Sequence, residues 1–421
     1  MSPIAKLTEI GPSPEDLTPL TGWRKTFSAL RSVNYRYFFF GQSLSLIGTW
    51  GRSAAWGWLA YQLTQSEFWT GVVFMLNSLP ILVFSLYSGS LADRIPKLRI
   101  FMATSLVALL ASLTLAVLLF RGSVSIGVLM LFVAAWGLCM AFEMPARQSL
   151  MVELVGKKDL VNAIALNSAM VNSTRIIGPA IGGMLYSALG AAWCFLVDAV
   201  SFLAVLYSLF RIRIAKTTHV RTSKVDLKYY LEGFRYLRQN PPLARTILLL
   251  FVMSLGGWAY LSQLPAYVHK QIHMDVQGYG WLLSMNGLGA CTAALTVATL
   301  GAKLVRERTL YAGIGIFSFF IVLFGFQRNP IGAAFMLFFV GFGIILFFSI
   351  GNSFIQTHSP DHLRGRIMGI WALVFGGGMP FGSLWMGTLA SRMGSGTALQ
   401  AGGLLCAAGA LAIYVFLKRK R

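Results

Sequence analysis

Residues Arg99 to Phe120 read RIFMATSLVALLASLTLAVLLF. After its one arginine the stretch carries no charge, and as a helix it is long enough to cross ~30 Å of hydrocarbon. Similar apolar stretches recur on both sides of it, and twelve spans are expected, at 37–63, 69–92, 99–120, 124–143, 161–189, 191–211, 245–268, 278–300, 310–326, 331–356, 367–390 and 397–417. Composition agrees: of 421 residues 56% are hydrophobic and 12% charged, against about 25% charged in a soluble protein. Most of the outer surface must therefore meet lipid, which excludes a soluble enzyme.

The charge that remains is lopsided, with 35 Lys and Arg against 14 Asp and Glu. In a soluble chain that excess would suggest nucleic-acid binding. Its placement gives another reason. If the N-terminus is cytoplasmic, only Arg121, Lys270, Arg328 and Arg392 fall in external loops, Arg52 and Arg175 fall inside spans, and all other basic residues face the cytoplasm. This is the positive-inside pattern, and nucleic acid is not needed to explain it. The expected class is an all-α membrane protein of twelve transmembrane helices with both termini cytoplasmic. It divides into a tail (1–36), a six-helix bundle (37–211), a linker (212–244), a second six-helix bundle (245–417) and a basic tail (418–421). The first residues lack the apolar core of a signal peptide, so insertion is expected to start from the first span. Cys139, Cys194, Cys291 and Cys406 sit singly in apolar stretches and read as core residues.

In the linker, Leu227, Tyr230, Leu231, Phe234 and Leu237 recur at helical spacing opposite Lys224, Lys228, Arg235 and Arg238, up to Asn240-Pro241-Pro242. That pattern predicts an amphipathic helix, fit for the cytoplasmic leaflet or for a solvated linker. The halves also echo each other. Gly71 and Asn77 in span two match Gly280 and Asn286 in span eight, while Gly178-Pro179 and Gly182 in span five match Met379-Pro380 and Gly382 in span eleven. Two pseudo-symmetric bundles are what a duplicated transporter would contain.

The segment Gly89-Ser-Leu-Ala-Asp93-Arg94-Ile-Pro96-Lys97 resembles the loop between spans two and three of the major facilitator superfamily, with Pro96 in place of a glycine. Met144-Pro-Ala-Arg147, Asn162-Ala-Ile-Ala-Leu-Asn167, Arg175-Ile-Ile-Gly178-Pro179-Ala-Ile-Gly182-Gly183 and Leu363-Arg364-Gly365-Arg366 are similar to the branch that includes the enterobactin exporter and drug-efflux members. The resemblance implies a gate in which Asp93 caps the start of span eleven near Arg366, with Arg94, Lys97 and Glu143 completing the charge cluster. It implies an antiporter-like motif at Gly178, Pro179, Gly182 and Gly183, whose glycines let another backbone approach.

Ionisable groups inside the bilayer carry the sharper expectations, because a charge there is costly. Gln42, Ser45, Thr49, Arg52 and Trp56 share one face of span one. Ser168, Asn172, Arg175 and Pro179 form a stripe on span five, and Ser349, Asn352, Ser353 and Gln356 one on span ten. A substrate cavity is expected from Gln42, Thr49, Arg52, Trp56, Asn172, Arg175, Trp258 and Asn352. The aromatics Trp50, Trp58, Tyr61, Trp136, Tyr260, Phe347 and Phe348 either join its walls or pack between helices. Arg52 at roughly 16 Å depth and Asp198 at roughly 10 Å are close enough to pair. Asp198, with Arg52 or Arg175, is then either a proton-coupling site or a static pair; Glu143 is a second coupling candidate. His269 and His273 with Asp275, and His358 and His362 with Asp361, show i, i+4 spacing, but both sets lie at helix ends or in loops without convincing further ligands, so no metal is expected. No phosphate-binding loop is present and no cofactor is called for.

These readings lead to a secondary transporter of a bacterial inner membrane, exporting a small amphipathic compound of drug or siderophore class by proton-coupled alternating access. Its partners are a small-molecule substrate, protons and the lipid bilayer. The alternatives are a lipid or lysolipid transporter, a metabolite importer, and a non-transporting receptor or scaffold.

Overall fold

The computed structural model describes residues 27–213 and 227–418, and among these every regular element is helical. A short 3-10 turn, Ser28–Arg31, leads into α1 (Val33–Thr64), capped where the Ser32 hydroxyl accepts from the Tyr35 N–H. Then come α2 (Glu67–Arg94) and α3 (Lys97–Phe120). α4 (Ile126–Gly156) does not stop at Glu143 as the span pattern suggested. It runs on through Pro145. The break comes at Gly156, whose φ of 71° is open to glycine and strained for other residues. α5 follows at 157–189 and α6 at Ala191–Arg211.

The linker helix α7 (Leu227–Gln239) ends where the Asn-Pro-Pro signal placed its end. Its Leu237 is buried, and its Gly233 lies against Ile370 and Arg366 of a later helix, so this stretch docks on protein. α8 (Pro241–Val252) continues irregularly through a π turn (Met253–Gly257), a 3-10 turn (Trp258–Ser262), α9 (Leu264–Tyr267) and a second π turn (Val268–Ile272). Pro265, which lacks an N–H, sits where a regular helix would need one. The chain closes with α10 (Val276–Leu300), α11 (Glu307–Phe324), α12 (Pro330–His358), α13 (Asp361–Met393) and α14 (Ser395–Lys418).

Ten segments among the described residues are long and apolar enough to cross a membrane. α1 and α5 are not among them, and these are the helices that carry Arg52 and Arg175.

α1 to α6 pack mainly on one another, as do α8 to α14. The two groups are internally equivalent where it can be checked. Asn77 of α2 donates to the Val133 carbonyl of α4 at 3.4 Å, and Asn286 of α10 to the Leu337 carbonyl of α12 at 3.1 Å. A Cβ on Gly137 would overlap the Asn77 carbonyl, and one on Gly341 the Asn286 carbonyl. The repeat seen in the sequence is thus a repeat of contacts.

The groups meet through α2 with α13 and α5 with α10. A Cβ on Gly71 would lie 2.6 Å from the Ser383 carbonyl oxygen, and one on Gly183 would lie 2.8 Å from that of Val276. The glycine contacts between groups extend from the face opposite Ser28 and Lys418 to mid-helix, ending near Arg175 with Gly287 and near Ile81 with Gly376.

Candidate functional site

The buried charges inside the first group form one unit. Arg52 Nη1 lies 2.7 Å from Asp198 Oδ2, and the Ser112 hydroxyl of α3 donates to the same oxygen at 2.6 Å. Asp198 is 0% exposed and Arg52 6%. The guanidinium also lies 4.4 Å from the Trp136 ring, which stacks on Phe195 with an interplanar angle of 2°. Gly48 lets α1 approach closely enough for this, since a Cβ there would meet Ser201 and Asp198 of α6. The partner of Asp198 is therefore Arg52 and not Arg175. Ser112 has no signal in the sequence: a lone serine in an apolar run is too common to single out.

Arg175 has a different setting. No carboxylate pairs with it among the described residues. It makes one long hydrogen bond, 3.4 Å from Nη2 to Asn286 Oδ1, and its guanidinium lies 5.6 Å from the Trp50 ring and 5.8 Å from the Trp258 ring. The irregular turns after α8 bring Trp258 there, and Trp258 is in turn braced by Phe348 and Phe375 at 5.3 and 5.5 Å. The Arg175 site thus draws on both helix groups.

The remaining cavity candidates divide. Gln42 and Trp56 are each 4% exposed, with Trp56 packed on Phe74, so both belong to the packed interior. Trp58 and Trp136 are likewise buried. Thr49, Asn172, Trp258 and Asn352 are half-buried. Asn172 donates to the Ser168 carbonyl, and Asn352 accepts from Gln356.

Three members of the expected gate have partners among the described residues. Lys97 bonds Glu153, Glu143 lies 3.7 Å from Arg147 one turn on, and Arg366 pairs with Glu232 of α7. The side chains of Gly89's neighbours Asp93 and Arg94 lie outside those described. In the antiporter-like motif the glycines serve two neighbours. Gly178 and Gly182 face Trp50 and Gly51 of α1, whereas Gly183 faces α10.

One cross-group pair escaped the sequence reading. On the face opposite Ser28 and Lys418, Glu67 at the start of α2 bonds Lys270 at 2.6 Å, and Gln263 donates to the Glu67 carbonyl at 3.5 Å. Partial burial works against the Lys270 ammonium, but the hydrogen bond and charge of Glu67 outweigh it and raise its pKa. An acid at a helix start reads as a cap, which hid this pair.

A family model described as transmembrane secretion effector matches residues 24–420. The chain is 26% identical to the staphyloferrin A transporter of Staphylococcus aureus over 85% of its own length and 90% of the relative. It is 27% identical to the multidrug efflux pump Tap of Mycolicibacterium fortuitum, over 81% and 85%, and 26% identical to the enterobactin exporter EntS of Escherichia coli, over 94% of each. The fold resembles a bacterial homologue of the human lysosomal transporter Spinster, with TM-score 0.67 at 14% identity, covering 92% of this chain and 97% of that one.

Proposed function

The chain belongs to the transmembrane secretion effector family of the major facilitator superfamily, and from that membership we propose that it is a proton-coupled exporter of a small amphipathic compound, of drug or siderophore class. It is a membrane transporter and not an enzyme. Two six-span bundles, twelve spans in all with both termini in the cytoplasm, rock about a central site in a bacterial inner membrane. The basic loops support this orientation. In it, the glycine contacts and the Glu67–Lys270 pair hold the external side together. Rocking parts them and opens that side, which is alternating access.

The observation that carries the proton-coupled reading is the Arg52–Asp198–Ser112 unit, a carboxylate fully buried between α1, α3 and α6. Neutralising a carboxylate in that setting removes its attraction for Arg52 and frees α1 to shift against α6, so one proton is linked to one helix movement. The siderophore and drug transporters among its relatives support the cargo class. The test compares compounds released by cells with and without the protein, each with and without a protonophore. A compound whose release needs both the protein and the gradient is expected. Release that the protonophore leaves untouched would overturn proton coupling.

A further inference from the structure

Arg52 and Arg175 are the two basic residues expected deep in the spans, and only one of them is neutralised. Arg52 has Asp198. Arg175 has two indole rings and one amide. The Asn286 amide is oriented by its own donation to the Leu337 carbonyl, which turns Oδ1 toward Arg175 and satisfies one guanidinium N–H. A guanidinium has five such donors, in a planar fork that matches a carboxylate. Beside it the Trp50 indole N–H is buried and has no partner. A cation flanked by neutral groups and an idle donor lacks an anion.

We infer that Arg175, Trp50, Trp258 and Asn286 form a subsite for the carboxylate of an aromatic-bearing small molecule. This rests on the reading of the chain as a transporter of small amphipathic compounds, and it narrows that class to anions. The carboxylate takes the free edge of the Arg175 fork with the Trp50 N–H in reach, and the ring of the ligand lies against the indoles. Because Trp50 belongs to α1 while Trp258 and Asn286 belong to the second helix group, the anion is held by both groups at once. Arg52, already paired and stacked, adds nothing to recognition, so the subsite takes one negative charge.

The test titrates the purified full chain in non-ionic detergent by calorimetry with 1-naphthoate, its uncharged counterpart 1-naphthalenemethanol and its cationic counterpart 1-naphthylmethylammonium. The expected order is naphthoate tightest, by about tenfold or more over the alcohol, and the ammonium weakest. Arg175→Gln is expected to abolish that preference, bringing naphthoate down to the level of the alcohol, and Arg175→Lys to keep part of it. A native protein that ranks the alcohol or the ammonium level with naphthoate overturns the subsite, as does an unchanged preference in Arg175→Gln. Should Arg175→Gln fail to fold, the ranking in the native protein and in Arg175→Lys decides. A charge preference without proton-driven release of any compound would leave the subsite standing and remove the export reading. Proton-driven release of the same anions at native rates by Arg175→Gln would do the reverse.

Discussion

Replacing Asp198 by alanine tests the buried unit most severely. At an effective dielectric constant near 20, unit charges 2.7 Å apart attract by about 6 kcal/mol. Removing two ions from water costs several kcal/mol each, so the intact pair comes out near balance, whereas losing one partner leaves the other buried and alone. Asp198→Ala is therefore expected to destabilise the protein by about 3–5 kcal/mol, and Arg52→Met by a similar amount. The double variant Arg52→Met/Asp198→Leu removes both charges and fills their space with apolar atoms. It should return to within about 1 kcal/mol of the native protein or exceed it. The assay is reversible unfolding of purified protein in detergent, run as a double-mutant cycle, in which these values give a coupling of about 5 kcal/mol or more. A double variant as unstable as the sum of the two singles would refute the reasoning. The stable double variant should also lose proton-driven transport, which separates coupling from folding.

Gly71→Val and Gly183→Val push side-chain atoms into the carbonyls of Ser383 and Val276. Overpacking of about 1–3 kcal/mol should shift the protein away from the conformation closed at that face, seen as a longer spin-label distance across it; an unchanged distance would contradict the contact. Lys270→Gln loosens the same face, but because Lys270 is largely solvated the effect should fall below about 1 kcal/mol. Its raised ammonium pKa makes its contribution complete below about 10.5 and lost only above that. The distance across this face should therefore not change between about pH 6 and 9 on account of Lys270, and a change abolished by Lys270→Gln would show otherwise. Ser112→Ala removes one hydrogen bond to a charged group and should cost about 1.5–3 kcal/mol, measured by the same unfolding assay; no loss would mean that Ser112 does not support Asp198.

Much of this arrangement was legible in the sequence because hydrocarbon permits few choices. The polar face of α1 and depth arithmetic along α6 were enough to bring Arg52 within reach of Asp198, since charges in lipid must find each other. The glycine and asparagine echoes at Gly71–Asn77 and Gly280–Asn286 marked equivalent helix contacts, because close backbone approach has few chemical solutions. What escaped lies where one residue type serves several ends. Trp56, Trp58 and Trp136 have the same aromatic signature as Trp50 and Trp258, and only three-dimensional packing separates the core rings from those beside Arg175. Lys97, Glu143 and Arg366 sit in a motif that implies one cluster, and their pairs with Glu153, Arg147 and Glu232 are set by helix packing that the motif does not encode. The helix of span four outruns its apolar stretch, because hydropathy marks the part that meets lipid while the backbone turns only at Gly156.

The most direct test of proton-coupled export uses proteoliposomes holding the full chain and an internal pH dye, with an imposed pH gradient and a panel of staphyloferrin A, enterobactin and 1-naphthoate. The expected result is that at least one compound moves against proton flow, with the dye reporting the exchange, and that Asp198→Asn abolishes both movements together. Compound movement that ignores the gradient, or persists unchanged with its proton flux in Asp198→Asn, would contradict the assignment of coupling to the Arg52–Asp198 unit.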